Sequence, residues 1–145
     1  KDVLDGGNND DILEGDAGAD TLTGGAGNDT FVYLAAGDST IGAIDVLTDF
    51  THGDDKIDLT AFGFTGSAAS AIKETAVGAF TAANTVDFFD QSGADRGVVV
   101  EYSGGAAQVY VDVNKDGNFN TSQDVVVHLN AVTSLALDVN DFKFA

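Results

Sequence analysis

The sequence contains no cysteine, methionine, tryptophan or proline. Without cysteine the chain has no disulfide, no zinc–thiolate cluster and no thiol nucleophile. Basic residues are scarce: 6 Lys and Arg stand against 24 Asp and Glu, and the net charge of −18 repels nucleic-acid phosphates and anionic membrane surfaces. No apolar run approaches the roughly 20 residues of a membrane-spanning helix. We therefore expect no nucleic-acid partner and no membrane insertion. Because the chain has no methionine, we expect it to be a fragment of a longer protein. We also expect this fragment to be monomeric.

The 145 residues are enough for one domain, and a hydrophobic fraction of 43% supplies a core. The acids are mostly aspartate, because only Glu14, Glu74 and Glu101 are glutamates. Aspartate favours turns and short-range oxygen coordination, whereas glutamate favours helix interiors. The composition therefore favours a turn-rich, cation-binding chain over a helical one.

The first thirty residues repeat every nine positions. Each unit is a glycine-rich turn that ends in aspartate, followed by a short strand with one large apolar side chain. The aspartates are Asp2, Asp11, Asp20 and Asp29, and the apolar residues are Leu4, Leu13, Leu22 and Phe31. A helical period cannot produce this pattern, whereas a solenoid of short strands and glycine turns does.

In such a solenoid one coil takes two units, so alternate turns lie on the same side. Asp11 then stacks on Asp29, and Asp2 stacks on Asp20, at the strand spacing of roughly 4.8 Å. Stacked carboxylates repel one another unless a cation lies between them. Flexible turns that offer carboxylate and carbonyl oxygens suit Ca²⁺ better than Mg²⁺ or a transition metal. The repeat therefore predicts several calcium ions along the turns.

Beyond the repeat the pattern predicts further short strands and one short helix. The strands are expected at residues 31–33, 45–50, 56–59, 98–102, 108–113 and 125–129, with Gly104 and Gly105 as a turn. Residues 67–76 have helix-forming content. The tail over 135–145 alternates apolar and polar residues, which is typical of a final strand.

A second calcium site is predicted in the loop that follows residue 111. Oxygen-bearing residues occupy positions 1, 3, 5 and 9 of an EF-hand-type spacing, with glycine at position 6. Positions 1, 3, 5 and 9 are Asp112, Asn114, Asp116 and Asn120, and position 6 is Gly117. Asn118, at position 7, is a further candidate ligand, so the predicted site consists of Asp112, Asn114, Asp116 and Asn118. Gln123 stands where a bidentate acid is expected, so a plain hairpin turn is the alternative.

Residues that suggest catalysis are few. His52 and His128 lie outside any H-E-x-x-H arrangement, and no serine lies in a nucleophile elbow. Tyr33, Tyr102 and Tyr110 offer sugar-stacking rings, with strand packing as the alternative. An independent enzyme is therefore disfavoured.

The segment over residues 24–32, Gly-Gly-Ala-Gly-Asn-Asp-Thr-Phe-Val, closely resembles the calcium repeat of repeats-in-toxin (RTX) proteins. The units over 6–14 and 15–23 match more loosely, with Asn9 and Asp16 at glycine positions. Residues 31–33, 38–40, 45–50 and 53–60 resemble the segment that follows the repeats in serralysin-type proteases and mannuronan epimerase modules. The resemblance covers residues 1–64 well and the remainder weakly.

This resemblance implies an all-β fold with at most one short helix. A short right-handed parallel β-roll is expected over residues 1–40, and a β-sandwich-like cap over 41–145, as one continuous unit. Calcium ligands carried over from the family are turn carbonyls and aspartate carboxylates. On one side they are Gly6, Asn8, Asp11, Gly25, Gly27 and Asp29; on the other they are Gly15, Asp16, Ala17, Gly18 and Asp20. Asp38 and Asp45 are expected to close the last site.

The resemblance also implies a function. The chain is expected to be a non-catalytic, calcium-binding C-terminal module of a larger protein that folds on extracellular calcium. Its expected location is secreted, or at the cell surface of a Gram-negative bacterium. A type I exporter is the expected partner, reading residues 141–145, although Lys143 departs from the tail pattern and an ordinary terminal strand is the alternative. The competing function is a polysaccharide-binding or surface-anchoring module of an extracellular enzyme, adhesin or surface-layer protein.

Overall fold

A computed structural model of the chain describes residues 1–64, 72–75, 97–115, 120–132 and 137–144. Its strands are β1 Val3–Asn8, β2 Ile12–Glu14, β3 Thr21–Ala26, β4 Thr30–Val32, β5 Asp45–Leu47, β6 Lys56–Asp58, β7 Ile72–Thr75, β8 Val98–Ser103, β9 Ala106–Val111, β10 Val125–Leu129 and β11 Phe142–Lys143. Two 3-10 turns, Thr60–Phe62 and Val139–Asp141, are the only helical elements of the described residues. In these ranges, no helix has the length and hydrophobicity to cross a membrane.

The first six strands wind between two sheets. Strands β1, β3 and β5 belong to a seven-stranded sheet ordered β1-β3-β5-β10-β9-β8-β7, and β2, β4 and β6 belong to a four-stranded sheet ordered β11-β6-β4-β2. All pairings within the wound part are parallel. Because successive strands alternate between the sheets, this part is a β-roll. The predicted all-β fold with a parallel roll is confirmed.

The register of the roll is that of the sequence repeat. Val3 pairs with Thr21 and Ile12 pairs with Thr30, both 18 positions apart. The repeated apolar residues point between the sheets, where Leu13, Leu22 and Phe31 are buried. Parallel pairing continues beyond residue 40, because β5 pairs with β3 and β6 pairs with β4. The last coil therefore forms from sequence that carries no glycine repeat.

The second half of the chain adds antiparallel strands to the same sheet. Gly104 and Gly105, at φ 62° and 87°, form the two-residue turn between β8 and β9. Positive φ at both positions matches the twist of a tight hairpin. Strand β10 pairs antiparallel with β9 on one side and parallel with β5 on the other. The seven-stranded sheet thus runs from the roll into the antiparallel part through the β5–β10 pair.

Of the two remaining expectations, the structure contradicts the short helix in part and contains the terminal strand. The helix expected over residues 67–76 is wrong for Ile72–Thr75, which form β7 and pair in parallel with β8. Ile72 and Thr75 are β-branched, and pairing with the buried strand β8 extends these four residues despite the helix-forming content of the longer segment. The remainder of that segment lies outside the described residues. The expected terminal strand exists as β11, which pairs in parallel with β6.

Candidate metal centre

An aspartate stands at the entry of each strand of the roll, and these aspartates form two columns. We call Asp2, Asp20 and Asp45 the Asp20 ladder, because they lead into β1, β3 and β5 of the seven-stranded sheet. The Asp29 ladder consists of Asp11, Asp29 and Asp55, which lead into β2, β4 and β6. The predicted stacking of Asp11 with Asp29, and of Asp2 with Asp20, is confirmed by the 18-residue register.

One oxygen of each later rung accepts a hydrogen bond from the backbone of the previous rung. In the Asp29 ladder, Asp11 N donates to Asp29 Oδ1 at 2.9 Å, and Asp29 N donates to Asp55 Oδ1 at 2.9 Å. In the Asp20 ladder, Asp20 N donates to Asp45 Oδ1 at 2.8 Å. These bonds hold each carboxylate in one orientation, so its second oxygen has a defined position.

The second oxygen is buried and has no hydrogen-bond partner in four of the rungs. These atoms are Oδ2 of Asp11, Asp20, Asp29 and Asp45. A buried carboxylate oxygen that receives no donor costs several times the net gain of an ordinary hydrogen bond. Repetition of this defect at equivalent positions, rather than at random, indicates a ligand that the repeat is built to accept.

The first glycine of each repeat leaves space beside this oxygen. A Cβ built on Gly6 would lie 2.9 Å from Asp11 Oδ2, and one on Gly15 would lie 3.0 Å from Asp20 Oδ2. A Cβ on Gly24 would collide with Asp29 Oδ2. The Cβ built on Gly6 would also lie 2.7 Å from the carbonyl oxygen of Gly24. Only glycine leaves this space open. The atoms that border it and could bind a metal ion are all oxygens.

The donor chemistry fits a hard divalent cation. Among the described residues, no three His, Cys, Asp or Glu side chains converge on one point. A cation in these turns would therefore be held by one or two ladder carboxylates and by backbone carbonyls. Flexible turns of this kind suit Ca²⁺, which accepts six to eight oxygens, better than Mg²⁺. When bound, the ion would neutralise the ladder carboxylates.

Backbone conformation explains how the turns vary in sequence. Gly25 and Gly27 have φ 99° and 151°, and a Cβ on either would collide with the backbone of the turn one coil before. Asn9 and Asp16, which replace repeat glycines, have φ 81° and 55°. Asn and Asp are the non-glycine residues that adopt this region most readily. Both substitutions therefore preserve the path of the turn.

The other predicted ligands of the roll lie in the same turns. Asn8 ends β1, and Ala17 and Gly18 belong to the turn between β2 and β3. Asp38 is different, because its Oδ2 accepts from Leu34 N and Ala35 N, both at 2.8 Å. That oxygen closes the turn after β4. The predicted role of Asp38 at the last site stays a prediction.

Burial raises the pKa of two ladder carboxyls, and their acidic neighbours add to the shift. The pKa of Asp45 rises to about 7, chiefly because its carboxyl loses water, and partly because Asp20 is close. Burial also raises the pKa of Asp55, with a smaller contribution from Asp29. Hydrogen bonds from the backbone oppose both shifts. The ionised forms of Asp45 and Asp55 are therefore disfavoured until a positive charge joins them.

The second predicted calcium site is only partly described. Asp112 and Asp124 are buried at the two ends of the β9–β10 loop. Asp124 Oδ1 accepts from Val113 N at 3.0 Å, and Asn114 donates from its amide to Gln123 Oε1 at 3.0 Å. Asp116 and Asn118 lie outside the described residues. Calcium binding by this loop stays a prediction.

Three residues of the roll were not singled out from the sequence. The Gly24 carbonyl beside Gly6 could have been found, because Gly24 is equivalent to Gly6 and Gly15 in the repeat. Asp55 and Asp49 lie outside the nine-residue repeat, so no equivalent position marks them in the sequence. The Asp49 carboxylate accepts from Gly24 N and Gly25 N at 2.9 and 2.8 Å, which closes the last glycine turn.

His52 and the three tyrosines, which were considered for catalysis and sugar binding, contact or pack against other parts of the fold. His52 Nδ1 lies 2.9 Å from Asp141 Oδ2, and the Asp141 carboxylate is fully buried. The side chains of Tyr33, Tyr102 and Tyr110 are buried, with at most 8% exposure. Rings buried to this extent are not available for stacking on a sugar.

Comparison with known proteins gives a consistent picture. The family model described as Peptidase M10 serralysin C terminal matches residues 2–140. The chain is similar to the solution structure of the AlgE6R2 subunit from the Azotobacter vinelandii mannuronan C5-epimerase, with 25% identity, a TM-score of 0.55, and coverage of 92% of this chain and 70% of that chain. The AlgE6R3 subunit of the same epimerase is 22% identical, with a TM-score of 0.55 and coverage of 99% and 78%. No curated protein sequence matches this chain at a significant level.

Proposed function

The chain belongs to the serralysin C-terminal family of M10 peptidases, and on that premise we propose that it is a non-catalytic module of a larger secreted protein that folds on binding calcium. The family match and the similarity to the AlgE6R2 subunit confirm the resemblance that the sequence predicted. The family is one of RTX-type calcium-binding modules of secreted bacterial proteins, not of catalytic domains.

One observation supports the calcium role above all. Four ladder carboxylates each bury an oxygen without a hydrogen-bond donor, and glycine keeps the space open beside three of those oxygens. The aspartates that carry these oxygens, Asp11, Asp20, Asp29 and Asp45, are all among the ligands predicted from the sequence. A protein that worked without a cation would have no reason to repeat this arrangement in every coil.

Calcium would act as the condition for folding. Without it, glycine entropy and carboxylate repulsion oppose the roll, and each nine-residue unit buries only one large apolar side chain. With a dissociation constant of ~10⁻⁴ M, each site contributes about 1.4 kcal/mol at ~1 mM calcium and almost nothing at cytosolic calcium. Several sites together decide between the unfolded and the folded chain.

This dependence suits export in an unfolded state. Inside the cell the calcium-free chain stays extended enough to pass a type I exporter, and outside the cell it folds. The tail over residues 141–145 would be read by the exporter before β11 docks on β6. The secreted or cell-surface location in a Gram-negative bacterium follows from the same proposal.

The direct test is a calcium titration of the isolated chain by far-ultraviolet circular dichroism and calorimetry. We expect an unfolded spectrum in EGTA, a strand spectrum at ~1 mM calcium, and a stoichiometry of several ions per chain. Magnesium at the same concentration serves as the control cation. Identical spectra and melting temperatures in EGTA and calcium would contradict the proposal.

A polysaccharide-binding role is the second candidate, favoured by the similarity to subunits of a mannuronan epimerase. The net charge of −18 and the burial of all three tyrosines weigh against a polyanionic or ring-stacked sugar. Affinity electrophoresis of the calcium-loaded chain in gels containing neutral or acidic glycans separates this candidate from a purely structural module.

A further inference from the structure

The last described part of the chain lies beside the end of the Asp29 ladder. We call residues 138–143 the C-terminal segment; it contains the second 3-10 turn and β11, which pairs in parallel with β6. Strand β6 follows directly on Asp55, the last rung of that ladder. Leu59 N also donates to Lys143 O at 2.9 Å, which continues the pairing. In the four-stranded sheet, β11 therefore takes the place beside β6 that a further coil would occupy.

A series of hydrogen bonds joins the C-terminal segment to Asp29. The buried Asp141 carboxylate accepts from Gly53 N at 2.9 Å. Gly53 lies in the turn that Thr51 N closes by donating to Asp55 Oδ2 at 2.7 Å. Asp55 Oδ1 in turn accepts from Asp29 N at 2.9 Å. Holding this turn in place therefore holds the backbone of Asp29, whose Oδ2 is buried and has no hydrogen-bond partner.

A second contact reaches the same rung from the other end of the segment. Lys143 Nζ donates to Thr30 Oγ1 at 3.0 Å, and the buried Thr30 directly follows Asp29. Because β6 lies between β11 and β4, the lysine side chain extends across one strand to make this bond. The C-terminal segment thus contacts the surroundings of Asp29 twice, through the turn before β6 and through Thr30.

The Asp20 ladder is held by a different part of the molecule. The backbone N–H of its last rung, Asp45, donates to Ser39 Oγ at 2.8 Å. The buried Ser39 is bonded twice to Val126 of β10: its carbonyl accepts from Val126 N at 3.0 Å, and its hydroxyl donates to Val126 O. Among the described residues, no hydrogen bond joins the C-terminal segment to the Asp20 ladder. Each ladder is therefore anchored by its own element.

We propose that docking of the C-terminal segment selectively raises the calcium affinity of the Asp29 ladder, with Asp141 and Lys143 as positioning residues. This inference rests on the proposed calcium binding of the roll. The docked segment holds Asp29 with its free oxygen facing the space beside Gly24, so less order must be gained when an ion binds. By linkage, calcium at this ladder strengthens the docking of the segment by the same factor.

The first test measures calcium binding by isothermal titration in chains that keep one complete ladder. Asp20→Asn removes the middle rung of one ladder, and Asp29→Asn removes the middle rung of the other. Adding Asp141→Asn should weaken binding about 5-fold more in the Asp20→Asn chain than in the Asp29→Asn chain. A general loss of stability weakens binding alike in both chains, so the difference reports the coupling. Equal weakening in the two chains, or none, would overturn the inference.

Ser39→Ala is the converse variant, because the Ser39 hydroxyl contacts the Asp20 ladder and β10. It should weaken calcium binding more in the Asp29→Asn chain, in which the Asp20 ladder is complete, than in the Asp20→Asn chain. A Ser39→Ala substitution that weakened both chains equally would contradict the separate anchoring of the two ladders.

The second test leaves both ladders complete and so does not depend on the folding of a chain that has lost a rung. Amide hydrogen exchange of the calcium-loaded chain, resolved by residue with NMR, compares Asp29 N with Asp20 N, which donate to the last rungs of their ladders. In Lys143→Met, exchange at Asp29 N should accelerate about 5-fold relative to Asp20 N. Lys115→Met is the matched control, because its ammonium bonds a backbone carbonyl outside both ladders, and it should leave this ratio unchanged.

An unchanged ratio of the two exchange rates in Lys143→Met would also overturn the inference. These results differ from a failure of the proposed function, in which the unchanged chain itself would bind no calcium. Failure of the inference alone leaves calcium binding intact and removes only its selective response to the C-terminal segment.

Discussion

The first glycine of each repeat controls the space beside a ladder oxygen. Gly6, Gly15 and Gly24 occupy equivalent positions, and a Cβ on any of them would approach or overlap an aspartate Oδ2. None of the three has the positive φ that usually explains a required glycine. Their role is therefore to leave room rather than to permit a turn.

This role leads to a prediction for Gly24→Ala. The methyl group would collide with Asp29 Oδ2, so the turn must shift and one cation position is lost. Overpacking costs about 1–3 kcal/mol, which lowers the melting temperature of the calcium-loaded chain by roughly 3–10 °C. Differential scanning calorimetry with a parallel calcium count measures both effects.

Gly42→Ala is the matched control, because a Cβ there has no neighbour within 4 Å. It should leave both the melting temperature and the ion count unchanged. A Gly24→Ala chain with the full calcium count would show that the space beside Asp29 Oδ2 is not a binding position.

The ladder aspartates that belong to the nine-residue repeat could be predicted from the sequence, and Asp55 could not. The nine-residue repeat predicts that Asp11 stacks on Asp29 and Asp2 on Asp20, because a regular coil of two repeats converts a sequence distance of 18 directly into spatial proximity. Asp55 lies 26 positions after Asp29 and follows an irregular loop. Nothing local marks Asp55 as a rung of the Asp29 ladder, so its role was readable only from the folded chain.

Among the elements, β11 joins the tail to the roll. Phe142 is buried and pairs with Ile57 of β6. The adjacent Asp141 carboxylate accepts from Gly53 N at 2.9 Å and from Asp138 N at 2.6 Å, and it contacts His52. The tail is thus held both by strand pairing and by a carboxylate that closes the turn before β6.

Asp141→Asn should loosen this attachment. The amide replaces an oxygen that accepts from backbone donors, which leaves a buried N–H without its acceptor and costs about 1–3 kcal/mol. We expect faster digestion of the calcium-loaded chain by carboxypeptidase and a lower melting temperature. Asp54→Asn removes the same charge from an exposed position of the same turn and should change neither.

A tail equally resistant to carboxypeptidase in Asp141→Asn and in Asp54→Asn would show that strand pairing alone holds β11.

Some of the strands could be predicted from the sequence and others could not. Those over residues 98–102 and 125–129 were predictable, because runs of β-branched residues favour a buried strand wherever they pair. The β7 strand at Ile72–Thr75 was not, because it lies inside a segment, 67–76, with helix-forming content, and its pairing with β8 cannot be read from that segment. Partner identity, such as the parallel β5–β10 pair, is likewise a property of the assembled sheet.

For the whole molecule, the net charge of −18 sets two separate problems. Exposed acids repel one another across solvent, where salt screens them. The ladder carboxylates repel one another inside the turns, where dissolved salt screens them far less. Only an ion that enters the turns solves the second problem.

We therefore predict that sodium chloride cannot replace calcium. At ~0.5 M salt in EGTA the screening length falls to about 4 Å, so the unfolded chain should contract, and size-exclusion chromatography should show a smaller radius. Circular dichroism should still show no strand spectrum. Recovery of the calcium-type spectrum by sodium chloride alone would mean that general repulsion, rather than the ladders, keeps the chain unfolded.

The position of β5 between β3 and β10 anchors one end of the roll. Among the described residues, β5 is held from both sides, whereas β1 and β2 have a partner on one side only. Damage by a protease or by mechanical pulling would begin at the outermost coil and advance inward one coil at a time. Each coil removed exposes another of the same construction, so the module would shorten before it failed.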